Sequence, residues 1–264
     1  MSVLDRGLQY GDGLFETVAI LDGEPRLWER HMARLRAGAE RLALPPPLEA
    51  ELHEEACRLS AGSGRAVLKI LYTRGVGGRG FRPPEPARAM RILMRFEAPE
   101  YPAAWWSQGV DVRFCDLRLG AQPALAGLKH LNRLEQVLAR AEWTDPAIAE
   151  GLLLDNNGAV IEGTQSNLFA VIGDRLLTPV LDEAGVAGVM RAWILEWAAL
   201  FGLNWEEARL TRSDVLEARE LFLSNSLIGV WPVRSLAGRR LPERGIAREL
   251  IACLRAARLC LIPD

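Results

Sequence analysis

Two hydrophobic patterns follow one another along the chain, one with the two-residue repeat of a β-strand and one with the helical repeat. Strands are predicted where short apolar runs are bounded by turn residues, and helices where apolar residues recur every three or four positions. The predicted strands cover residues 14–21, 65–72, 90–96, 110–114, 151–154, 159–161, 168–172, 175–178, 220–223 and 230–233. The predicted helices cover residues 27–42, 48–59, a segment beginning at 131, 185–200 and 246–259. This mixture, without repeats or low-complexity tracts, predicts a soluble α+β protein.

Residues 116–126 break the regularity, because they contain Gly120 and Pro123 and show little periodicity. We interpret them as a linker between a smaller N-terminal α/β domain, residues 1–115, and a larger C-terminal domain, residues 127–264. A chain of 264 residues is long enough for two modest domains that share a cleft. Clefts of this kind are common positions for binding sites, so the residues just after the linker are the first candidates for chemistry.

Composition narrows the classes of function. Charged residues make up 25% of the chain and the net charge is -2, with acids and bases interspersed, so nothing indicates a nucleic-acid or membrane-surface partner. The scattered cysteines (Cys57, Cys115, Cys253 and Cys260) and the three histidines predict neither a disulfide framework nor a metal site. Neither a targeting signature nor an apolar run of membrane-spanning length is found, so a cytoplasmic protein is expected.

One lysine occupies a distinctive position, just ahead of the helix predicted from residue 131. Apolar residues at 131, 134, 137, 138 and 141 predict an amphipathic helix with one buried face. Lys129 then lies at or before the first helical turn, where its side chain can point into a cleft. Taken alone, a lysine is more often a solvated surface charge, so this position needs support from the rest of the chain.

Three arginines are candidates for binding an anion. Arg34 lies on the helix predicted over 27–42 and would hold an anion with a fixed fork of donors if it turned inward, although most of that basic face is expected in solvent. Arg74 and Arg79 lie in the glycine-rich loop 73–81. That loop suits the capture of a carboxylate-bearing substrate, and it is equally well explained as a mobile hairpin tip with two solvated charges.

Three further features indicate a binding site: one is a buried carboxylate, and two can donate hydrogen bonds to a phosphate. Glu162 follows a short buried strand, where a carboxylate needs a partner. The helix that opens over 185–191 has no capping side chain, so its amide groups can be satisfied by a phosphate or by water. The run 224–227 ends a strand with small polar residues that can donate further hydrogen bonds.

A lysine, a carboxylate, an uncapped helix start, hydroxyl groups and an arginine are together the groups that a pyridoxal phosphate site requires. The lysine amine binds the cofactor aldehyde and moves protons, and the carboxylate keeps the pyridine nitrogen protonated. The helix start, the hydroxyls and the arginine bind the phosphate. Pyridoxal 5'-phosphate is therefore the predicted cofactor.

In their order along nearly the whole chain, these motifs resemble the fold-type IV pyridoxal-phosphate family, which includes branched-chain and D-amino-acid aminotransferases and aminodeoxychorismate lyase. The resemblance implies two α/β domains with the active site in the cleft between them. It implies that Lys129 binds the cofactor covalently and that Glu162 pairs with its pyridine nitrogen. The residues that it places at the cofactor phosphate are Arg34, Val189, Met190, Ser226 and Leu227.

Within the family, the segments 5–17, 73–81 and 129–135 and the run 224–227 are most similar to the lyase. This similarity implies conversion of 4-amino-4-deoxychorismate to 4-aminobenzoate and pyruvate, a step of folate biosynthesis. The candidates for substrate binding are Arg79, Arg74 and Asn225.

Two other functions stay open at this point. One is a branched-chain or D-amino-acid aminotransferase on the same scaffold, and the other is a binding protein that keeps the fold without chemistry. The resemblance also implies a homodimer. The chain opens directly upstream of Asp5, whereas family members usually carry a short strand before this motif, so either the natural start lies further upstream or this member lacks the first strand.

Overall fold

The computed structural model describes residues 1–241 and 244–263. Its contacts divide the chain into two compact units, each with its own sheet. Unit 1 comprises Met1–Pro99, Leu128–Arg133 and Leu259–Leu261, and unit 2 comprises Glu100–Gly127, Leu134–Arg258 and Ile262–Asp264. Among the helices described, none is both long and apolar enough to cross a lipid bilayer.

Unit 1 is built on a four-stranded antiparallel sheet. Its elements are α1 (Arg6–Tyr10), β1 (Gly13–Leu21), β2 (Glu24–Pro25), α2 (Trp28–Arg41), α3 (Glu49–Ser60), β3 (Arg65–Thr73) and β4 (Met90–Glu97), and the strand order is β2-β1-β3-β4. Val18 of β1 and Ile70 of β3 point to the same face of the sheet and pack with Met32 and Leu35 of α2 in one buried cluster. The opposite face carries the alternate residues of the same strands.

Unit 2 is built on a ten-stranded mixed sheet. Its elements are α4 (Ala104–Ser107), β5 (Val110–Leu119), α5 (Leu134–Arg140), β6 (Ile148–Asp155), β7 (Ala159–Gly163), β8 (Asn167–Ile172), β9 (Arg175–Pro179), α6 (Val189–Leu200), β10 (Asn204–Ala208), β11 (Leu210–Thr211), α7 (Arg212–Glu217), β12 (Glu220–Asn225), β13 (Gly229–Leu236), β14 (Arg239–Arg240) and α8 (Gly245–Ala256). The strand order is β10-β9-β8-β12-β13-β5-β6-β7-β11, and β14 pairs with β13. Phe169 and Phe222, on neighbouring strands, stack with ring centroids 4.9 Å apart in its core.

The predicted α+β class is confirmed, since two units of mixed helix and strand each form around a sheet. The predicted linker 116–126 is partly wrong, because β5 continues to Leu119. Its alternation is hidden by a register shift between Phe114 and Arg118 in the pairing of β5 with β6. The contact-defined units also differ from the limits 1–115 and 127–264, since residues 100–115 belong to unit 2 and residues 128–133 belong to unit 1.

The helix predicted from residue 131 begins later than expected, and its large apolar side chains face the solvent. It begins at Leu134, and its residues Leu134, Val137 and Leu138 are 75%, 60% and 60% exposed. The predicted buried face is therefore wrong. The small residue Ala139 is buried instead, in a cluster with Cys115 and other side chains of unit 2. The helical period was readable in the sequence, but the face that neighbouring elements cover was not.

Candidate active site

Lys129 lies in unit 1, on a short extended segment that continues the sheet beside β1. The amide of Phe15 donates to the carbonyl of Lys129 at 2.9 Å, and the amide of Leu131 donates to the carbonyl of Gly13 at 3.0 Å. Leu14 and His130 form the bridge between these two bonds, so both point toward α2 while Phe15 and Lys129 point to the opposite face. The Lys129 ammonium nitrogen accordingly lies over the Phe15 ring, 4.2 Å from its centroid.

A glycine makes this arrangement possible. A Cβ atom on Gly13 would lie 2.5 Å from the carbonyl oxygen of Tyr72 and 3.0 Å from a methyl group of Leu131. Any larger residue would push the lysine segment away from β1. The glycine-rich opening of the chain, by itself a weak signal, therefore has a structural role beside Lys129.

Arg34 is held by a carboxylate that the sequence analysis did not single out. Its Nε donates to Oε1 of Glu16 at 2.8 Å and its Nη2 donates to Oε2 of the same group, while Nδ1 of His31 lies 2.7 Å from Oε2. Glu16 and His31 are buried. Burial alone would raise the pKa of the Glu16 carboxyl, but the charge and hydrogen bonds of Arg34, with those of His31, lower that pKa to about 2. Burial lowers the pKa of His31 despite its contact with Glu16.

We expect Glu16→Gln to destabilise unit 1 in a pH-dependent way. The pKa of Glu16 falls from 4.5 to about 2 in the fold, so its ionised form contributes about 3 kcal/mol of stability. This contribution is complete above pH 4.5 and is lost as the pH falls toward 2. Urea unfolding of the two proteins at a series of pH values should show the largest difference at pH 7 and a shrinking one in acid.

The matched control for this prediction is Glu97→Gln, because Glu97 is an exposed carboxylate on β4 of the same unit. It should leave the unfolding free energy nearly unchanged at every pH. A Glu16→Gln effect that stayed constant down to the lowest pH at which both proteins fold would contradict the assigned pKa.

Glu162 lies in unit 2, near the end of β7, and is 4% exposed. Its Oε2 accepts a hydrogen bond of 2.8 Å from the amide of Val186. The preceding residue, Gly185, has φ +86°, a conformation that favours glycine. A Cβ atom there would lie 2.7 Å from a methyl group of Leu181 and 2.8 Å from one of Ile161, so no other residue fits without displacing the loop that binds Glu162.

Gly185→Ala should destabilise unit 2 more than a glycine-to-alanine substitution at a position with the same backbone strain but no steric clash. The control is Gly158→Ala in the turn between β6 and β7, because Gly158 also has φ +86° but a Cβ atom there would meet nothing within 4 Å. Backbone strain alone costs about 1–3 kcal/mol. We expect thermal melting to show that cost for the control and a larger one for Gly185→Ala; equal losses would mean that the loop accommodates the methyl group.

The start of α6 has no side-chain cap, and its role in binding a phosphate stays a prediction. Its cap is Gly188, which provides no side-chain hydrogen bond, and Val189 and Met190 open the helix as buried residues. Asn167 shapes the loop ahead of the helix, because its Nδ2 donates to the carbonyl of Val186 at 2.8 Å. A Cβ atom on Gly188 would lie 2.0 Å from Oδ1 of Asn167, so only glycine allows this approach.

The run 224–227 forms a turn that is organised by Asn225. Its Oδ1 accepts from the amides of Leu227 and Ile228 at 2.9 and 3.0 Å, and its Nδ2 donates to the carbonyl of Gln165 at 3.1 Å. Asn225 therefore holds Ser226 and Leu227 in place, and its contact with substrate stays a prediction.

Sequence reasoning missed a second buried carboxylate, Glu150 on β6. It accepts hydrogen bonds from the hydroxyls of Thr164 and Ser166 and from the amides of Gly151, Thr164 and Gln165. Burial raises the pKa of Glu150, and these donors oppose that rise. Glu150 thus fixes the loop that follows Glu162. The same loop accepts a hydrogen bond from Asn225. Its signal in the sequence, a single acid between apolar strand positions, is weak.

The two candidate arginines of loop 73–81 differ in their surroundings. Arg74 is buried, and each of its guanidinium nitrogens donates to the protein: Nε to Asp12, Nη1 to the carbonyl of Ala43 and Nη2 to that of Leu42, each at 2.8 Å. Arg79 is exposed. Arg74 therefore stabilises the fold of unit 1. Arg79, which makes no such contacts in the described part of the chain, is the better candidate for contact with the substrate.

Comparison with known proteins identifies the family of this chain. Residues 13–236 match the amino-transferase class IV family, and the chain belongs to this family of fold-type IV, pyridoxal-phosphate-dependent enzymes. The chain is 39% identical over 242 residues to the aminodeoxychorismate lyase of Vibrio harveyi, covering 92% of this chain and 88% of that protein.

Solved structures give the same result. The crystal structure of 4-amino-4-deoxychorismate lyase from Pseudomonas aeruginosa is 49% identical, with a TM-score of 0.93 over 97% of this chain and 94% of that one. The branched-chain amino acid aminotransferase of Escherichia coli is 25% identical, with a TM-score of 0.86 over 100% of this chain and 91% of that one. The predicted family and fold are confirmed.

The residues described above have the chemistry that pyridoxal phosphate requires. Unit 1 offers an amine at Lys129 and a rigidly held guanidinium at Arg34, and unit 2 offers a buried carboxylate at Glu162 and a helix start without a side-chain cap. The hydroxyl of Ser224 is also buried without a hydrogen-bond partner among the described residues. When bound, the cofactor supplies an electron sink for charge that develops at the substrate carbon.

Proposed function

We propose that this chain is a lyase that converts 4-amino-4-deoxychorismate to 4-aminobenzoate and pyruvate. The observation that carries the proposal is its 39% and 49% identity to two such lyases over more than nine-tenths of the chain. Identity to the branched-chain aminotransferases compared is lower, at 30% for a putative one from Methanocaldococcus jannaschii and 25% for that of Escherichia coli. A branched-chain or D-amino-acid aminotransferase is the less supported alternative.

In this proposal Lys129 carries the chemistry. Its amine would hold the cofactor aldehyde and, once free, would take the proton from the amine-bearing ring carbon of the substrate. The neighbouring carbon–oxygen bond breaks, and the departing enolpyruvyl group gains one proton to become pyruvate. The ring becomes aromatic, which drives the reaction. Because one proton is removed and one is added, a single amine can serve both steps.

The other residues of the proposed site bind and orient. Glu162 would place a negative charge at the pyridine nitrogen, and the Val186 amide donates a hydrogen bond to its Oε2. The phosphate-binding residues are those implied by the family resemblance: Arg34, Val189, Met190, Ser226 and Leu227. Arg79, with Arg74 and Asn225 as the further candidates, meets a substrate carboxylate.

The test is direct. Purified protein loaded with pyridoxal phosphate is mixed with enzymatically prepared 4-amino-4-deoxychorismate, and 4-aminobenzoate fluorescence and pyruvate are followed together. Equal amounts of both products support the lyase. If a protein that does hold the cofactor releases neither product but exchanges amino groups between an amino acid and a keto acid, the aminotransferase alternative is correct.

We also propose that the protein is a cytoplasmic homodimer. The exposed apolar side chains of Leu134, Val137 and Leu138 on α5 support the dimer, because such a face is costly in water. Four free cysteines suit a reducing compartment. Light scattering of the purified protein, compared with a Val137→Asp variant, tests the dimer: the wild type should have twice the mass of one chain, and the variant should dissociate more readily.

A further inference from the structure

The lysine segment, residues 128–131, has two edges, and its hydrogen bonds to β1 account for one of them. The carbonyl of Lys129 and the amide of Leu131 point toward β1, where they bond to Phe15 and Gly13. Successive carbonyls of an extended chain point in opposite directions, so the carbonyls of residues 128 and 130 face away from β1. Carbonyl groups on this outer edge need other partners.

A single side chain supplies both of these partners. Nε of Arg133 donates to the carbonyl of His130 at 2.8 Å, and its Nη2 donates to the carbonyl of Leu128 at 3.0 Å. These two carbonyls belong to the residues on either side of Lys129. The planar guanidinium of Arg133, which is half-buried, therefore takes the place that a further strand would have on this edge.

The residue before this arginine ties the end of the segment to the turn that precedes β1. Nδ2 of Asn132 donates to the carbonyl of Gly11 at 3.1 Å. A Cβ atom on Gly11 would lie 2.5 Å from Oδ1 of Asn132, so only glycine allows this approach. Asn132 is exposed, and water competes for its bond. The half-buried fork of Arg133 is the stronger constraint on the segment.

The register of the segment decides where its amine lies. Side chains alternate between the two faces, so a shift of one residue would turn Lys129 toward α2. The same shift would turn the carbonyls of residues 128 and 130 toward β1 and break both bonds of Arg133. In the observed register the Lys129 ammonium lies 4.2 Å from the ring centroid of Phe15, and the ammonium of Lys69, on β3, lies 5.5 Å from the same centroid.

We propose that Arg133 is a positioning residue that holds Lys129 where its amine acts. This inference rests on the proposed function, in which that amine must reach both a cofactor aldehyde and a substrate carbon. A displacement of about 1 Å in a reacting group can lower a rate by about 100-fold. Arg133 acts on the backbone of the lysine segment, so its effect falls on the chemical step and not on substrate affinity.

The experiment compares Arg133→Met with Arg133→Lys and with a matched control, Arg26→Met. Arg26 is a half-buried arginine of the same unit, and its Nη2 donates to the carbonyl of Leu21 at 2.9 Å, at the other end of β1 from Phe15. The control therefore removes the same charge and the same kind of bond away from the lysine segment.

Two measurements are made on each protein. The first is steady-state kinetics, with kcat and KM taken from 4-aminobenzoate fluorescence. The second is amide hydrogen exchange of the peptide that covers residues 128–134, followed by mass spectrometry without substrate. This peptide contains the amide of Leu131, whose bond to Gly13 opens when the segment leaves β1. Exchange therefore reports on the segment independently of catalysis.

Arg133→Met should lower kcat by about 10–100-fold while KM stays within about twofold of the wild type. Exchange of the peptide should become about 10-fold faster or more, because the segment opens more often. Arg133→Lys keeps the charge but lacks the fixed fork, so it should recover only part of both quantities. Arg26→Met should match the wild type in kcat and in the exchange of this peptide.

Wild-type kcat and exchange in Arg133→Met would overturn the inference. A raised KM with normal kcat would assign Arg133 to substrate binding, and faster exchange throughout unit 1 would show a general loss of stability; both results also contradict it. If Arg133→Met does not fold, Arg133→Lys provides the comparison and must show a lower kcat with faster exchange. If the wild type forms no product, the proposed function fails, and the exchange measurement alone decides whether Arg133 holds the segment.

Discussion

Lys129→Ala is expected to lower the rate of 4-aminobenzoate formation by about 10⁴-fold or more, because in the proposed function this one amine would both hold the cofactor and move the proton. Lys69 is the only other lysine, and its amine lies over the same ring but on a different strand. Lys69 therefore cannot take the position of the Lys129 amine. The rate is measured by product fluorescence with cofactor in excess.

Mass spectrometry after borohydride reduction gives the matching structural result. In the wild type the reduced cofactor should be found on the peptide that contains Lys129, and in Lys129→Ala that modification should be missing. Lys69→Arg is the control and should keep the modification at Lys129. Turnover near the wild-type rate in Lys129→Ala would refute the assignment of this lysine.

Glu162→Gln should lower kcat by about 10²–10³-fold, the size expected when one well-placed electrostatic group is removed from a buried site. Glutamine keeps the shape of the side chain, and its oxygen can still accept the hydrogen bond from the Val186 amide, which in the wild type is 2.8 Å long. What is lost is the negative charge that, in the proposed function, would keep the pyridine nitrogen protonated. Steady-state kinetics measure the effect, with cofactor binding followed by absorbance.

Stability must be measured on the same variant. Because the loop around Gly185 depends on a hydrogen bond that glutamine preserves, the melting temperature of Glu162→Gln should stay close to that of the wild type. A normal kcat in a folded, cofactor-loaded Glu162→Gln protein would show that this carboxylate does not act on the cofactor.

The strands could be predicted because their signals are local. The alternation in β1 and β3 is visible in the sequence, and Lys129 and Glu162 stand in motifs that a resemblance can locate. The partner of Arg34 could have been expected in part. Glu16 occupies an inward position of β1, and a carboxylate there requires a cation.

Other features depend on tertiary contacts that no local pattern contains. His31 and Arg34 are three residues apart on α2 and so share a face, but only the packed structure shows that this face meets Glu16. Arg74 looked like an exposed loop charge, and the structure instead binds it to Asp12 and two carbonyls. The helical spacing around residue 134 was predicted correctly, but the buried face was not. Which face of a helix is buried depends on the elements that pack against it.

The pairing of both lysines over Phe15 has a practical consequence for measuring cofactor stoichiometry. Pyridoxal phosphate in excess reacts with accessible lysines on most proteins, and this background obscures how many molecules are specifically bound. Here the side-chain amines are confined to Lys69 and Lys129, next to one aromatic ring. An aldehyde titration of this protein therefore counts these two amines almost directly, and any second equivalent per chain reports on Lys69 or on the amino terminus.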